Sequence, residues 1–531
     1  MISINAFILV TLAFLVFVKC QEQTFVVETN VGKIQGHLNS KGVREFKGIP
    51  YAVPPTGDLR WEYPKSPQPF ADTYIANYDA PGCPQLCVLP PGNCPAVTSE
   101  DCLYLTVTTP NVAPPAEGFP VFFWMHGGAY EQGLGNCALY DGSNFAQQDV
   151  ITVVINYRLG ALGFLAGSTM QGNYGMMDQR LAMQWTAQNI RAFGGNPDQV
   201  TIAGQSAGAM SVVSHLISHN STGLYKNAIV ESNPLALPFH SRSSAAKNAD
   251  AFSDYLGCSH NDLACLRSQS PDRILESQEK SVKINFDNLL ENFLPFSPIV
   301  DGVEILEQPL DALRNGNFNN VPILAGSLLE EGVLFVDELF KSNLSKEKYK
   351  VIVKETFGKK NEDTILSLYP YDGSDGRNPL STLATDLLFY CPLRNAVRGY
   401  QSKLGGKAPA TYIYRFDHVL SFDCWGPSYA FCVGHVCHGS ELPFVFNVFS
   451  DGTTSYNPTS DEQQLQMDIS NAWINFIKNG DPNKGLTVPA LFPIYSGSSD
   501  TLAVMNEPGF KDDSNLRDTY CNTWDSLGYV Y

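Results

Sequence analysis

Residue types and spacing first suggest chemistry at Gly204-Gln205-Ser206-Ala207-Gly208, in a chain of 531 residues. A G-x-S-x-G pentapeptide says little alone, because about 0.3 chance matches are expected in a chain of this composition. Its setting says more. Val200–Ala203 (VTIA) reads as a buried strand and Ala207–His219 as a helix, so Ser206 stands on a strand–turn–helix junction. Such a turn is tight, and glycine on both flanks avoids a Cβ colliding with neighbouring backbone. The helix start beneath Ser206 supplies backbone N–H groups and a positive dipole end, which favour an oxyanion. A serine hydroxyl is a poor nucleophile near neutral pH, so the site must also hold a base, and the base needs an acid to fix its tautomer.

The elements needed to position such a junction recur along the chain. Thr24–Glu28 and Lys33–His37 read as short antiparallel strands, and Leu103–Thr109 as a β run ended by Pro110. Val121–Met125, Val150–Asn156, Val200–Ala203, Asn227–Glu231, Val321–Ala325 and Tyr412–Phe416 are apolar runs without alternation, as in parallel strands covered on both faces. Helices fall between them. Met177–Phe193 is stopped by Gly194-Gly195-Asn196-Pro197. Another helix spans about Asp461–Lys478: Ser460 and Gln463 form a capping box, Leu465, Ile469, Trp473, Phe476 and Ile477 share a face, and Asn479-Gly480 ends it. Apolar residues make up 44% and charged residues 17%, enough for a large core, and no repeat or polar linker divides the chain. One large α/β domain with a central, mostly parallel twisted sheet flanked by helices is expected. Lys+Arg 35 against Asp+Glu 53 leaves a net charge of −18, which disfavours nucleic acid as a partner.

Five segments in order then carry a resemblance. Phe46-Lys-Gly-Ile-Pro-Tyr-Ala52, Ser99-Glu-Asp-Cys-Leu-Tyr-Leu105, Asn156-Tyr-Arg-Leu-Gly160, Phe193-Gly-Gly-Asn-Pro197 and the Ser206 elbow are similar to the cholinesterase/type-B carboxylesterase family of the α/β-hydrolase fold, from about Gly32 onward. The likeness is to a secreted carboxylesterase more than to a true cholinesterase. It implies one α/β-hydrolase domain over residues 21–531 and a catalytic set in the chain order Ser206, Glu331, His438. Glu331 takes the acid position in a strand followed by Glu330-Glu331-Gly332. Glu330 stands where the family usually has Asp and reads as a solvated or structural carboxylate. His438, in His438-Gly-Ser-Glu-Leu442, takes the base position; His435 lies three residues earlier, and the residues alone do not rank the two. In Trp124-Met-His-Gly-Gly-Ala-Tyr130, the resemblance implies an oxyanion hole from the N–H groups of Gly128 and Ala129 with that of Ala207. Ala129 replaces the commoner third glycine, and its methyl narrows the site. His126 is assigned no role, and no metal or organic cofactor is required.

The N-terminus points to export. Ala6–Val18 is a 13-residue apolar stretch, the length of a signal-peptide core and short of the ~20 residues that span a bilayer. Val18 and Cys20 precede a cut that would leave Gln21 first, making residues 1–20 a signal peptide, although no Lys or Arg precedes the stretch. Of 13 cysteines, losing Cys20 leaves 12, an even number that suits an oxidising compartment. Asn220 and Asn343 head N-glycosylation triplets. The C-terminal residues show neither a GPI-type tail nor a KDEL-type signal, so a product secreted or held in secretory vesicles, without a stable membrane anchor, is expected. The resemblance implies the disulfides Cys83–Cys102, Cys258–Cys265 and Cys391–Cys521. Proximity suggests Cys87 with Cys94 and Cys432 with Cys437, which leaves Cys137 for Cys424. Cys432 and Cys437 with His435 and His438 could imitate a metal set, but the abundance of cysteine favours disulfides, and no metal is assigned.

Two features concern the substrate. The Cys83–Cys102 interval contains no aromatic residue, whereas cholinesterases place a tryptophan there to hold a quaternary ammonium by cation–π contact. Gln205 replaces their glutamate before the nucleophile. Neutral small-molecule carboxylic esters are therefore expected, with Gln205 and Phe239 in the substrate pocket, Phe239 as an acyl-pocket wall or equally as core packing. The expected function is a secreted serine hydrolase that cleaves carboxylic esters through an acyl-enzyme. The alternative is a non-catalytic relative, an adhesion, storage or hormone-precursor protein, which a complete Ser206/Glu331/His438 set disfavours. Lipase or amidase action is open, since the same triad serves any acyl transfer.

Overall fold

Runs of valine, isoleucine and aromatic residues dictate the centre of the molecule. In the computed structural model, which describes residues 23–281, 289–497, 499–507 and 509–529, they form seven parallel strands. These are β1 (Phe119–Met125), β2 (Ile151–Ile155), β3 (Gly195–Gln205), β4 (Asn227–Glu231), β5 (Ile323–Leu328), β6 (Thr411–Phe416) and β7 (Leu502–Asn506). Their spatial order is β2-β1-β3-β4-β5-β6-β7. Antiparallel strands extend both margins: Tyr104–Thr109, Arg44–Pro50, Gly32–Leu38 and Thr24–Thr29 beyond β2, and Gly509–Asp513 beyond β7. The whole is a 13-stranded sheet. All five residues of β2 are buried, as a strand covered on both faces requires. The expected signal peptide lies outside the described residues.

Side chains alternate across β1: Phe123 and Met125 join the core on one face, and Phe122 and Trp124 join the core on the other. The first face is covered by α1 (Tyr174–Asn189) and α2 (Ala207–Ile217), the second by α4 (Ser460–Asn479), with α3 (Glu331–Leu339) following β5. A 3₁₀ turn over Ile190–Phe193 follows α1 and ends at Gly194 with φ 92°, the stop that Gly-Gly-Asn-Pro announces. The cap of α4 is one position earlier than its sequence suggests. Thr459 Oγ1 accepts from the N–H of Glu462, and the Glu462 carboxylate accepts from that of Thr459, because the backbone turns from extended to helical at Thr459 and not at Ser460. Arg44–Pro50, Leu502–Asn506 and Gly509–Asp513 give no clear strand signal by composition. Gly48, Pro50 and charged residues dilute the pattern in the first, and pairing to neighbours supplies what propensity lacks.

Among the described residues five disulfides close: Cys83–Cys102, Cys87–Cys94, Cys258–Cys265, Cys391–Cys521 and Cys432–Cys437. Cys137 and Cys424 are free thiols, so the pairing reached by elimination is not formed. Counting cysteines does not place them, and a bridge needs Cα atoms within about 7 Å. Among the described residues no helix is long and apolar enough to cross a membrane.

The second face of the sheet contains a buried acid at the end of β4. Glu231 is fully buried and accepts a hydrogen bond from Trp473 Nε1 at 2.8 Å. Burial pushes its carboxyl up to about 8 from 4.5; burial, then the charges of Glu231 and Glu331, push buried Glu441 upward too. The unfolded chain releases the Glu231 proton near 4.5 while the folded chain keeps it to about 8, so this group costs stability progressively as pH rises through that window. Glu231→Gln is therefore expected to raise the melting temperature, and by more at about pH 8 than at about pH 5. Thermal unfolding followed by circular dichroism checks this, and equal gains at both values contradict it.

Candidate active site

Strand β3 runs directly into Ser206, and α2 starts at the next residue. Ser206 adopts φ 59° and ψ −125°, a conformation that costs a non-glycine residue about 1–3 kcal/mol. Its surroundings hold it there. The Ser206 N–H donates to the Glu231 carbonyl at 3.0 Å, and the Met210 N–H donates to the Ser206 carbonyl at 2.9 Å. The flanking glycines are obligatory: a Cβ on Gly204 would sit 2.5 Å from the Gly208 carbonyl carbon and oxygen, and one on Gly208 would sit 2.1 Å from Met125 O.

The expected acid and base come from the start of α3, after β5, and from the segment before residue 440. Glu331, the first residue of α3, is fully buried. Its Oε1 accepts the Leu328 N–H at 2.8 Å, and its Oε2 lies 2.5 Å from His438 Nδ1. With Nδ1–H donating to the carboxylate, Nε2 keeps its lone pair, as a general base requires. Phe335 and Phe389 pack against the imidazole, ring centroids 4.9 and 5.3 Å away. Glu330 and His435 are drawn into a different pair: Glu330 Oε1 accepts from His435 Nδ1 at 3.0 Å, and Oε2 from the Val436 N–H at 2.8 Å. Among the described residues the hydrogen bond at His438 Nε2 comes from Gln205, whose side-chain amide donates at 3.1 Å.

The chain after β1 forms the third part. Gly128, Ala129 and Tyr130 follow one another at φ 104°, 58° and 61°. A Cβ on Gly127 would lie 2.6 Å from Gln205 O, so the loop lies close against the elbow. Ala129 occupies a left-handed conformation that costs an L-residue roughly 1–2 kcal/mol and glycine almost nothing. His126 is structural: its Nδ1–H donates to Gly127 O at 2.8 Å, its ring stacks on Tyr157 at 4.5 Å, and burial pulls its pKa down to about 4.

Two cavities meet at Ser206. The larger, about 180 Å³, is bordered by His438, Gln205, Gly128 and Ala129, with Trp425 and Tyr456 among its walls. The smaller, about 20 Å³, is lined by Ala129, Leu237, Phe293, Phe335, Leu388 and Phe389 and does not touch His438. Phe239 borders neither. It is 2% exposed and belongs to the core, with its N–H donating to Gln308 Oε1, so the acyl-pocket expectation is corrected in favour of packing. Leu237, two residues earlier, faces the cavity instead. Phe335 had a readable signal, one helical turn after Glu331 on α3, whereas Leu388 and Phe389 arrive from a remote helical turn, Thr385–Tyr390, that no motif marks. The loop closed by Cys87 and Cys94 brings Leu89, Pro90 and Pro91 to the larger cavity; its aromatic wall comes from other segments.

Metal-ligating residues gather at one place among the described residues, His418, Glu462 and Glu507. Both Glu462 oxygens are already occupied by His418, Ser421 and Thr459 in capping α4, which leaves this group a structural explanation.

Gln205→Glu would put an acceptor where Nε2 now meets a donor, and an ionised carboxylate there favours the imidazolium over the free base. The acid limb of kcat/KM is expected to move to higher pH, with about tenfold less ester hydrolysis than the parent at about pH 6. A limb that stays in place contradicts the contact.

Comparison with known proteins agrees with this geometry. Residues 23–524 match the model of the carboxylesterase family. The chain is 39% identical over 504 residues to the crystal protein of Dictyostelium discoideum, across 94% of this chain and 90% of that protein. It is 34% identical over 499 residues to para-nitrobenzyl esterase of Bacillus subtilis (strain 168), across 92% and 96%. A solved structure of a PNB esterase matches with a TM-score of 0.79 at 31% identity, over 96% of this chain and all of that one. The matched residues, the strand order and the setting of the elbow together show that the chain belongs to the carboxylesterase family, carboxylic ester hydrolases of the α/β-hydrolase fold.

Proposed function

We propose that the protein is a secreted serine carboxylesterase acting on neutral esters with a small acyl group. The observation that carries this is the Glu331–His438 contact at 2.5 Å, with His438 and Ser206 bordering one cavity. In the first step Ser206 Oγ attacks the ester carbonyl and its proton passes to His438 Nε2, the Gln205 amide giving way to the hydroxyl. The carbonyl oxygen gains the negative charge and is held by the N–H groups of Gly128, Ala129 and Ala207. His438 returns the proton to the leaving alcohol, which must therefore depart on the side His438 borders, the larger cavity. Water, deprotonated by His438, then attacks the acyl-enzyme, and the acid leaves as Ser206 recovers its proton. Glu331 orients the ring and stabilises the imidazolium.

The acyl group is left with the smaller cavity. About 20 Å³ is room for little more than one water-sized group, which suits an acetyl methyl and excludes a long chain. The aromatic-poor disulfide loop and the neutral Gln205 support neutral leaving alcohols over choline. Five disulfides support export after removal of residues 1–20, leaving one domain over residues 21–531. Both triplet asparagines are exposed, but the Asn220 amide nitrogen donates to Glu304 Oε1 at 3.1 Å, which makes Asn343 the better glycan acceptor. A non-catalytic storage protein is the second reading, kept because the relative at 39% identity from Dictyostelium discoideum is called crystal protein and not an esterase.

Hydrolysis of p-nitrophenyl acetate by the mature protein is expected to fall by about 10⁴-fold or more in Ser206→Ala, with an organophosphate labelling Ser206 of the parent. A folded parent that neither turns over nor labels favours the storage reading. Acetate is expected to exceed octanoate as substrate, and Leu388→Ala to narrow that gap by roughly tenfold, within what a few methylenes are worth in an apolar pocket. A parent that prefers octanoate contradicts the assignment of the smaller cavity.

A further inference from the structure

Glu330 and His435, which the proposed reaction does not use, form a second carboxylate–imidazole pair beside the first. The two pairs share their backbone. Glu330 immediately precedes Glu331 at the start of α3, and it grips the other segment twice, through His435 Nδ1 at 3.0 Å and through the Val436 N–H at 2.8 Å. His435 and Val436 lie within the loop closed by Cys432–Cys437, and Cys437 adjoins His438. Val436 and Cys437 are fully buried, and the Cys437 carbonyl accepts from the Ser440 N–H at 3.0 Å and from its hydroxyl at 2.7 Å. Little slack separates the outer pair from the inner one.

We propose that Glu330 and His435 are positioning residues: their pairing clamps the loop that carries His438 against the start of α3, setting the reach of His438 toward Ser206, and the clamp loosens as His435 loses its proton. This rests on the esterase reading above. His435 can exchange protons with solvent, since its side chain is 45% exposed and borders a second open cleft of about 480 Å³. The charged groups that share its cleft are Glu330, which caps α3, Asp337 of α3 and Arg377 across the cleft, while Lys341 lies over the ring of Phe431, which also lines the cleft. Arg377 is matched by Asp337 and Asp375, so the field at His435 is set by carboxylates. The hydrogen bond from His435 to Glu330 raises the imidazole pKa, against burial which lowers it. Because the folded value is raised, the charge-assisted part of the clamp is complete below the unfolded value of 6.5 and is lost as pH rises through the folded one. A half-exposed pair contributes little to global stability, but a misplacement of about 1 Å at a catalytic base costs up to roughly 10² in rate. The effect therefore belongs in kcat and not in melting temperature.

The test is kcat and KM for p-nitrophenyl acetate between about pH 5.5 and 9, per organophosphate-titrated site, in the mature parent, Glu330→Gln, His435→Gln and His435→Lys. Above the acid limb set by His438, where kcat would otherwise stay level, the parent is expected to lose about threefold toward alkaline pH. Both glutamine variants are expected to run about three- to tenfold below the parent's maximum with KM within about twofold, and to lack that alkaline decline. His435→Lys, which keeps a cation throughout, is expected to restore kcat above about pH 8. Glutamine variants that keep the parent's kcat and pH profile overturn the clamp. So do losses that track a lowered melting temperature and are not rescued by lysine, which mean a merely structural pair. A parent without turnover or label sinks the esterase reading and the clamp with it, whereas an active parent beside indifferent variants sinks the clamp alone.

Discussion

The backbone of Ser206 is held at φ 59° and ψ −125°, where a side-chain-bearing residue does not rest unaided. The surrounding architecture makes that conformation obligatory. Gly204 and Gly208 leave no room for a Cβ because the elbow lies within van der Waals reach of β1 and of its own returning chain. The Glu231 carbonyl at the end of β4 binds the Ser206 N–H, so the parallel register of β3 with β4 sets where the serine points. The cost of the turn is small beside the burial of the sheet on two faces, each covered by helices with large apolar side chains.

Behind the elbow the interior holds three buried carboxyl groups, Glu231, Glu331 and Glu441, and the fold treats them differently. Glu331 has a cationic partner in prospect, because the His438 imidazole on its Oε2 becomes charged during the proposed reaction. Glu231 has the Trp473 indole and Glu441 has like-charged neighbours, and burial pushes both toward the neutral acid. The shift of both toward the neutral acid lessens the negative charge beside the Glu331–His438 contact. The low-dielectric surroundings that would penalise a lone carboxylate strengthen one opposite an imidazolium.

In the proposed reaction the division of space around Ser206 carries the specificity. Ala129 stands between a small apolar recess and an open cleft, and His438 borders only the cleft. Proton delivery in that proposed reaction is therefore directional, with one side of the ester confined and the other released. Gln205 sits on the elbow itself and occupies His438 Nε2, so the residue next to Ser206 also sets what the imidazole meets.

What the sequence determined by itself was local and covalent. Strand, turn and helix around Ser206 follow from an apolar run, two glycines and a helical stretch within a dozen residues, and the central strands follow from unalternated β-branched runs, because periodicity and steric exclusion act between near neighbours. The resemblance ranked Glu331 over Glu330 and His438 over His435, which residue types alone could not do. Tertiary structure decided why both pairs exist: adjacent glutamates at the start of α3 point to different histidines, His435 inside the loop closed by Cys432–Cys437 and His438 just after it, a sorting that depends on two segments over a hundred positions apart. It also moved the cap of α4 to Thr459, placed Phe239 in the core while Leu237 took the cavity wall, brought Leu388 and Phe389 to Ser206, and left Cys137 and Cys424 unpaired. Each of these turns on which face of an element meets which neighbour in space, and packing across the sheet sets that where composition cannot.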